Sequence, residues 1–266
     1  MQKEVLKEYK KQEDRIMLSQ IVDKIEFSDI RKSIETTNFL DMYQISLVEN
    51  FLRKIKFKNY ILYGGYENAE RKILIIYNTR YEKQEVEQQY HDFFEITRVI
   101  LSDYDKGKFV HRNYLGGIVK LGLSREKVGD IIVREDGADI ITVKSFSTIL
   151  NQELKNLNRF ESAKIEIKEI SELIEKEVIK EEIKIIVPSL RLDNIVSDLI
   201  KSSRSKAVNV INQERVFING QCEIKQSKNI KIGDIITIRG KGRFVIKKED
   251  GTTRSGRSVI IIEKFI

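Results

Sequence analysis

The chain has 266 residues, of which 41% are hydrophobic and 33% charged, so it can build ordinary folded cores under an unusually charged surface. One proline argues against proline-rich linkers, and the single Cys222 excludes an internal disulfide or a multi-cysteine zinc site. No apolar run reaches the roughly 20 residues of a membrane span, and the N-terminus lacks the apolar core of a signal peptide. We therefore expect a cytoplasmic protein without a metal, a cofactor or a membrane partner.

The net charge of +7 is concentrated towards the C-terminus. Residues 186–266 contain 16 Lys and Arg against 8 Asp and Glu, a net +8, whereas residues 1–185 contain 32 against 33, a net −1. A solubilising surface would spread its charge along the chain. The asymmetry instead indicates a polyanionic partner, with nucleic acid as the first candidate.

The first 80 residues are predicted to form a mainly helical region. Apolar residues recur at helical spacing over residues 16–25, and a second helix is predicted to start at Asp41, an N-cap residue. We interpret the lysines of residues 54–58 first as cations that suit the end of this helix and second as RNA contacts. Residues 64–66, Gly-Gly-Tyr, then break the pattern, and residues 72–77 are typical of a strand.

Residues 81–185 are predicted to form a second domain with the order β-α-β-β-α-β. Its elements are strand 93–101, helix 112–121, strands 128–133 and 138–143, helix 145–157 with Ser145 or Ser147 as its cap, and strand 163–170. Asp136-Gly137 is a hairpin signal. The order is the ferredoxin-like arrangement that RNA-recognition motifs share, but no aromatic-rich strand of the RNA-recognition type is visible. The fold by itself therefore predicts no RNA binding here.

A charged, helix-prone stretch over residues 169–184 leads to a third domain, residues 186–266, whose boundary is marked by Pro188. A first helix is predicted from about Ser189 and a second after Ser203, followed by a small sheet. Asn219-Gly220 predicts a type I′ hairpin turn, and a last hairpin is predicted near Asp250-Gly251. The overall class is therefore α+β.

The second helix of this domain opens with Arg204 and Lys206, although a helix N-terminus favours acids. Because no structural benefit of these cations is visible in the sequence, we interpret them as phosphate contacts. The alternative is that both side chains simply extend into solvent. The full set of predicted RNA contacts in this domain is Arg191, Arg204, Lys206, Arg215, Lys225, Arg239, Lys241 and Arg243.

The motifs of the third domain resemble those of the S4 RNA-binding domain. They are Arg191-Leu192-Asp193, Ser203-Arg204-x-Lys206-Ala207, Val216-x-Ile218-Asn219-Gly220 and Gly233-Asp234-x-Ile236. The resemblance implies two helices and a hairpin that present a basic surface to structured RNA. Glu214 departs from the family, which usually has glycine at this position.

Most of the chain also resembles the YlmH family of bacterial RNA-binding proteins. The matching segments are Asn38–Asp41, Gly64–Lys72, His111–Gly116 and Gly122–Ile131. The resemblance implies a non-enzymatic protein that binds ribosomal RNA of the large subunit, transfer RNA or both, and that acts in the rescue of stalled large subunits carrying peptidyl-tRNA. The family has also been connected with cell division.

This resemblance also suggests a second RNA or ribosome contact, made by Gly64, Gly65, Arg71, Lys72, His111 and Arg112. For Gly64-Gly65 the simpler interpretation is a turn between a helix and a strand.

Two other classes of function remain open. An RNA-modifying enzyme would need an active site around His111 in the central domain, although no nucleophile or base accompanies it. Arg191-Leu192-Asp193 resembles the catalytic tripeptide of pseudouridine synthases, but here it opens the RNA-binding module, where we interpret Asp193 as a helix-start residue. A protein-interaction module would use the central sheet. We predict no catalytic residues and no metal ligands, since two histidines and one cysteine make no conventional site.

Overall fold

The computed structural model describes residues 2–175 and 180–265. The chain forms two compact units, Met1–Lys176 and Glu177–Ile266. The predicted division of the first unit into two domains at residue 80 stays a prediction. None of the helices in the described ranges combines the length and apolar character needed to cross a bilayer.

The first part of unit 1 contains the predicted helices and, in addition, a small antiparallel sheet. Its elements are α1 (Gln2–Val5), α2 (Gln12–Arg31), β1 (Ile34–Thr36), α3 (Met42–Lys54), β2 (Tyr60–Tyr63) and β3 (Ile73–Tyr77), with strand order β1-β3-β2. Asp41 caps α3 as predicted, because its side chain accepts a hydrogen bond from the Gln44 amide in a capping box. The sequence indicated only the third strand, since strands of three and four residues are too short for a visible alternation.

The second part of unit 1 has the predicted order β-α-β-β-α-β. After α4 (Lys83–Gln89) come β4 (Phe94–Ile100), α5 (His111–Lys120), β5 (Val128–Arg134), β6 (Gly137–Val143), α6 (Lys144–Lys155) and β7 (Lys164–Glu169), in one antiparallel sheet of order β5-β6-β4-β7. A hairpin joins β5 to β6 as predicted, but Arg134 pairs with Gly137, so the turn is Glu135-Asp136 and Gly137 is the first residue of β6. Gly137 has φ 150°, and a Cβ there would lie 1.9 Å from the Val99 carbonyl oxygen. The predicted serine cap of α6 is wrong: the N-cap is Val143, and Ser147 hydrogen-bonds Glu95.

This sheet is covered on both faces. Ile140 and Val99 face α5 and α6 in one core, whereas Ile96 and Ile141 pack with Ile75 and other residues of the N-terminal part in a second core. The face that an RNA-recognition motif would leave open is therefore buried under β1–β3.

Unit 2 consists of two helices packed on a six-stranded antiparallel sheet. The elements are β8 (Lys180–Val187), α7 (Leu192–Leu199), α8 (Arg204–Asn212), β9 (Val216–Ile218), β10 (Gln221–Cys222), β11 (Ile235–Ile238), β12 (Gly242–Thr252) and β13 (Ser258–Phe265), with strand order β10-β9-β11-β12-β13-β8. The core contains Leu192, Ile195, Val196 and Leu199 of α7, as the apolar spacing predicted. Ser203 caps α8 as predicted, accepting from the Lys206 amide.

Two predictions for unit 2 are corrected. The stretch over residues 169–184 is not one helix: Glu169 ends β7, residues 170–172 form a short 3-10 turn, and residues 180–184 belong to β8, where pairing with β13 overrides helix propensity. Residues 176–179 lie outside the described part of the chain. The turn of the last hairpin lies at Thr253–Arg257 rather than at Asp250-Gly251, because bulges shift the register of β12 against β13.

A candidate nucleic-acid interface in unit 2

The start of α7 is held against the loop that follows β10. The Leu192 amide donates to the Lys228 carbonyl at 2.8 Å, and the Asp193 amide donates to the Gln226 carbonyl at 3.1 Å. Two otherwise unpaired donors of the first helical turn are thereby satisfied. The contacts also bring the loop cations, Lys225 and Lys228, to the end of the helix where Arg191 is the N-cap residue.

Asp193 is the buried centre of this end of the unit. It is 1% exposed, and its Oδ1 and Oδ2 accept hydrogen bonds from Arg191 at 3.1 and 2.9 Å. Arg204, at the start of α8, donates Nε and Nη2 to Oδ2 at 3.1 and 2.7 Å. The Asn194 amide adds a bond to Oδ1 at 3.0 Å. One carboxylate therefore fixes two guanidinium groups from two helices, an arrangement that we call the Asp193 clamp.

The clamp keeps its carboxylate ionised. The hydrogen bonds from Arg191, followed by those from Arg204, outweigh the burial of the group and lower the pKa of Asp193 to about 2. Both arginines remain accessible, with side chains that are 39% and 58% exposed. Within the described part of the chain, Nη1 of each guanidinium has no hydrogen-bond partner. The clamp thus presents two oriented cations, each with N–H donors that Asp193 does not use.

Arg204 and Lys206, which the sequence treats alike, have different surroundings in the structure. Arg204 has a structural partner in Asp193, so the inference that its cation has no structural benefit is wrong, and so is the alternative that it simply extends into solvent. Asp193 does lie in the first turn of α7, as predicted, but it also joins the two helices. Lys206 is exposed.

A second group of predicted contacts lies where β9 begins and β11 ends. Arg215 donates Nη2 to the Arg239 carbonyl at 2.9 Å, and the Arg239 guanidinium lies 4.7 Å from the centre of the Phe217 ring. Lys241 is exposed in the following turn, where Gly240 and its neighbour Gly242 have φ values of 80° and 116°. The glycines therefore support the turn geometry that places these cations, as their permissive backbone suggested.

The remaining predicted cations of unit 2 are Arg243 and Lys225. Arg243 on β12 lies 5.6 Å from the centre of the Phe265 ring. Lys225 is exposed, and its amide donates to Glu223 at 2.8 Å. Glu214, the misfit of the sequence pattern, has φ 56° at the end of α8, where the Arg215 amide reaches back to the Val210 carbonyl. This is the left-handed position of a Schellman motif, which explains why glycine is favoured there.

The predicted second contact in unit 1 is largely a structural joint. Gly64 and Gly65 are buried, and a Cβ on Gly64 would lie 2.2 Å from the Arg71 carbonyl oxygen. Arg71 donates to the carbonyls of Val128 and Phe39 at 3.1 and 3.0 Å, and burial lowers its pKa.

Asp130 closes the joint by accepting hydrogen bonds from the Tyr66 hydroxyl and the Glu70 and Arg71 amides, at 2.9, 2.7 and 3.1 Å. Burial, the largest influence, raises the pKa of Asp130. Two of the sequence motifs thereby meet, and their shared residues serve packing. Only His111 and Arg112, at the start of α5, are exposed, while Lys72 is half-buried.

Comparisons with known proteins find a family model that matches a segment of each unit. The family model "Putative RNA-binding domain in YlmH" matches residues 91–172, and the S4 domain model matches residues 190–236. A relative from Bacillus subtilis (strain 168), "Ribosome-associated protein quality control protein P2", is 28% identical over 202 residues, which are 76% of this chain and 76% of the relative. The chain is therefore similar to proteins of the YlmH family.

A solved structure titled "Cell division protein ylmH from Streptococcus pneumoniae" is 18% identical to this chain. It covers 63% of this chain and 98% of its own, with a TM-score of 0.48. The Asp193 clamp falls inside the S4 match. Sequence reasoning missed the clamp because Asp193 and Arg204 are eleven residues apart on two helices, a separation with no periodic signal.

Proposed function

We propose that this chain is a member of the YlmH family and a non-enzymatic protein that binds structured RNA through unit 2. The observation that carries the proposal is the Asp193 clamp, which holds Arg191 and Arg204 as oriented, accessible cations in the region that contains all of the chain's excess positive charge. Oriented guanidinium groups suit phosphate oxygens, which they can bind in pairs. Lys206, Arg215, Lys225, Arg239, Lys241 and Arg243 would add further phosphate contacts.

The finer part of the proposal concerns the RNA. The relative from Bacillus subtilis is named for ribosome-associated protein quality control. We infer that this chain likewise associates with ribosomes in the cytoplasm. Its partner would be large-subunit ribosomal RNA, transfer RNA or both, and it would act on stalled large subunits that carry peptidyl-tRNA. In that role His111 and Arg112 are the exposed candidates for a contact by unit 1.

The test compares Arg204→Gln/Lys206→Gln with Lys248→Gln/Arg254→Gln in the full chain. Both variants lose two exposed cations of unit 2, but the control removes them from the β12–β13 hairpin. Binding to purified large subunits and to transfer RNA would be measured between 50 and 300 mM salt. We expect the first variant to bind at least ten-fold more weakly and its salt slope to fall by about 1.4 to 1.8, at about 0.7 to 0.9 per phosphate. Equal binding by both variants would remove α8 from the interface.

The structure gives little support to the two other functions, an RNA-modifying enzyme and a protein-interaction module. His111 is an exposed residue at the start of α5, where loss of solvation, followed by the charge of Arg125, lowers its pKa. The protein-interaction alternative relies on the central sheet, but its two faces pack against α5–α6 and β1–β3.

A further inference from the structure

The segment that links α3 to β2 has an unusual composition. Residues 53–66 read Arg-Lys-Ile-Lys-Phe-Lys-Asn-Tyr-Ile-Leu-Tyr-Gly-Gly-Tyr and contain four cations, four aromatic residues and no acid. Aromatic residues make up only 8% of the whole chain, and residues 1–185 carry a net charge of −1. Basic and aromatic residues are therefore concentrated locally, outside the segment that matches the RNA-binding domain model.

The fold arranges this segment along one wall of a groove of about 1080 Å³ in unit 1. The residues that line it come from α3 and the turn after it, from β2, and from α4 and the turn after it. The size lies at the upper end of the roughly 300–1,000 Å³ that is typical of small-molecule pockets. An open groove of this size suits a segment of a polymer.

The charge of the groove is positive. Its cations are Arg53, Lys56, Lys58, Lys72 and Lys83, and its acids are Glu49, Glu67 and Glu87. Lys83 and Glu87 form an ion pair at 3.3 Å, which leaves four cations against two acids, a net +2. Arg53, Lys56 and Lys58 are exposed, and no side-chain partner of these three occurs within residues 2–175 and 180–265.

The groove is also lined by aromatic rings. Phe57, Tyr60, Tyr63 and Tyr90 all line it and are half-buried. Tyr63 and Tyr90 lie 3.9 Å apart, centre to centre, at an interplanar angle of 60°, and Tyr63 also contacts Phe94 edge-on. These contacts hold the rings of Tyr63 and Tyr90, and both side chains remain partly accessible. Fixed rings beside unpaired cations are the combination with which proteins bind single-stranded nucleic acid, through base stacking and phosphate contacts.

We propose that this groove binds unpaired nucleotides of RNA, as a site separate from the S4 domain. Arg53, Lys56 and Lys58 contact the phosphates, and Tyr60 and Tyr90 stack with bases. A peptide strand added to the free edge of β2 is a different partner class. The unpaired cations and the several rings favour RNA over a peptide, because strand addition requires neither.

The test uses the full chain and a fluorescent oligouridylate of twelve nucleotides, which has no stable duplex for the S4 domain to recognise. Arg53→Gln/Lys56→Gln/Lys58→Gln is compared with Arg31→Gln/Lys32→Gln/Arg80→Gln. The control also removes three exposed cations of unit 1, and its Lys32 shares with Lys56 a left-handed position at a helix end. We expect at least ten-fold weaker binding for the groove variant, a salt slope lower by about 2, at about 0.7 per phosphate, and no change for the control.

A second variant tests stacking without a change of charge. Tyr60→Leu keeps an apolar side chain, and we expect it to weaken binding by about five-fold or more. Photo-crosslinking of a 4-thiouridine oligonucleotide should label residues 53–66 or Tyr90 in the unaltered protein. Equal binding by the groove and control variants, or labelling confined to unit 2, would overturn the proposal, as would an acidic peptide that occupies the groove when the oligonucleotide does not. Loss of structured-RNA binding on changing Arg204 and Lys206 tests the other site, so the two proposals can fail independently.

Discussion

Each unit contains a buried aspartate that two arginines hold, and the two sites differ in what surrounds the arginines. In unit 1, Asp139 is 0% exposed, and its partners Arg98 and Arg134 have side chains that are 12% and 14% exposed. In unit 2, Asp193 is 1% exposed, but Arg191 and Arg204 are 39% and 58% exposed. The same ionic chemistry is therefore internal in one unit and reaches the surface in the other.

The remaining hydrogen bonds show the same difference. Arg98 donates Nη2 to both Asp139 and the Glu172 carbonyl, at 2.8 and 2.6 Å, and the Ile174 amide also donates to Asp139. That site ties β4 and β6 to the segment after β7, so its donors serve the fold. The Asp193 clamp leaves donors directed away from the carboxylate. The comparison teaches that a buried aspartate can either join elements within a core or orient cations at the surface, depending on the exposure of its partners.

The largest expected effect is a loss of stability when the buried Asp139 of unit 1 is changed. Asp139→Asn leaves the nearly buried Arg98 without its carboxylate partner and Arg134 with Asp136 alone, so we expect the free energy of unfolding to fall by about 3–5 kcal/mol. Urea unfolding followed by circular dichroism measures the loss, and hydrogen exchange should place it in β4 and β6. A loss below about 1 kcal/mol would mean that the two sites do not differ as described.

The next effect concerns the clamp. Asp193→Asn should cost only about 1–2 kcal/mol of stability, because both arginines can turn to water. The substitution raises the net charge by one, yet we expect affinity for structured RNA to fall several-fold, since the guanidinium groups lose their fixed orientation. Competition binding with transfer RNA measures this. Tighter binding by the variant would show that charge alone, without positioning, determines the affinity.

A pH dependence follows from the same carboxylate. Its pKa of about 2 in the folded state lies below the ordinary value of 3.8. The stabilisation is therefore complete above about pH 4 and is lost as the pH falls through about 2. The difference corresponds to at most about 2 kcal/mol at 1.36 kcal/mol per pKa unit, and exposure of the arginines reduces it. Urea unfolding from pH 5 to pH 2.5 should show the gap between the natural chain and Asp193→Asn narrowing. A constant gap would contradict the role of the charge.

The smallest expected effect is a gain in the stability of unit 2. Glu214→Gly removes a side chain from a left-handed position and should stabilise unit 2 by about 0.5–1 kcal/mol, because the strain relieved exceeds the added freedom of glycine in the unfolded chain. Thermal unfolding measures the gain. Glu214→Ala, which also removes the acid but keeps a Cβ, is the matched control and should not stabilise the protein. An equal gain for both would assign the effect to charge.

Much of the fold could be predicted from local signals. Patterns within a few residues predict the N-caps Asp41 and Ser203, the turn before Gly137 and the turn at Asn219-Gly220. They also predict the order β-α-β-β-α-β. Where local signals were weak or misleading, the predictions failed: β1 and β2 were missed, β8 was assigned to a helix-prone stretch, and the last turn was misplaced. The strands β1, β2 and β8 depend on pairing with a strand outside their own segment, and the last turn depends on bulges in the pairing of β12 with β13.

The sequence by itself determined the composition of the surfaces. It concentrates the positive charge after residue 186, places Arg204 and Lys206 at a helix start, and combines cations with aromatic residues over residues 53–66. Only the tertiary structure decided which of these groups are committed to the fold and which remain available. Asp193 on α7 accepts a hydrogen bond from Arg204 on α8. Arg71 donates hydrogen bonds to the carbonyls of Phe39 and Val128, which are distant from it in sequence. Composition is local, whereas burial and hydrogen bonding depend on what the folded chain brings beside each side chain.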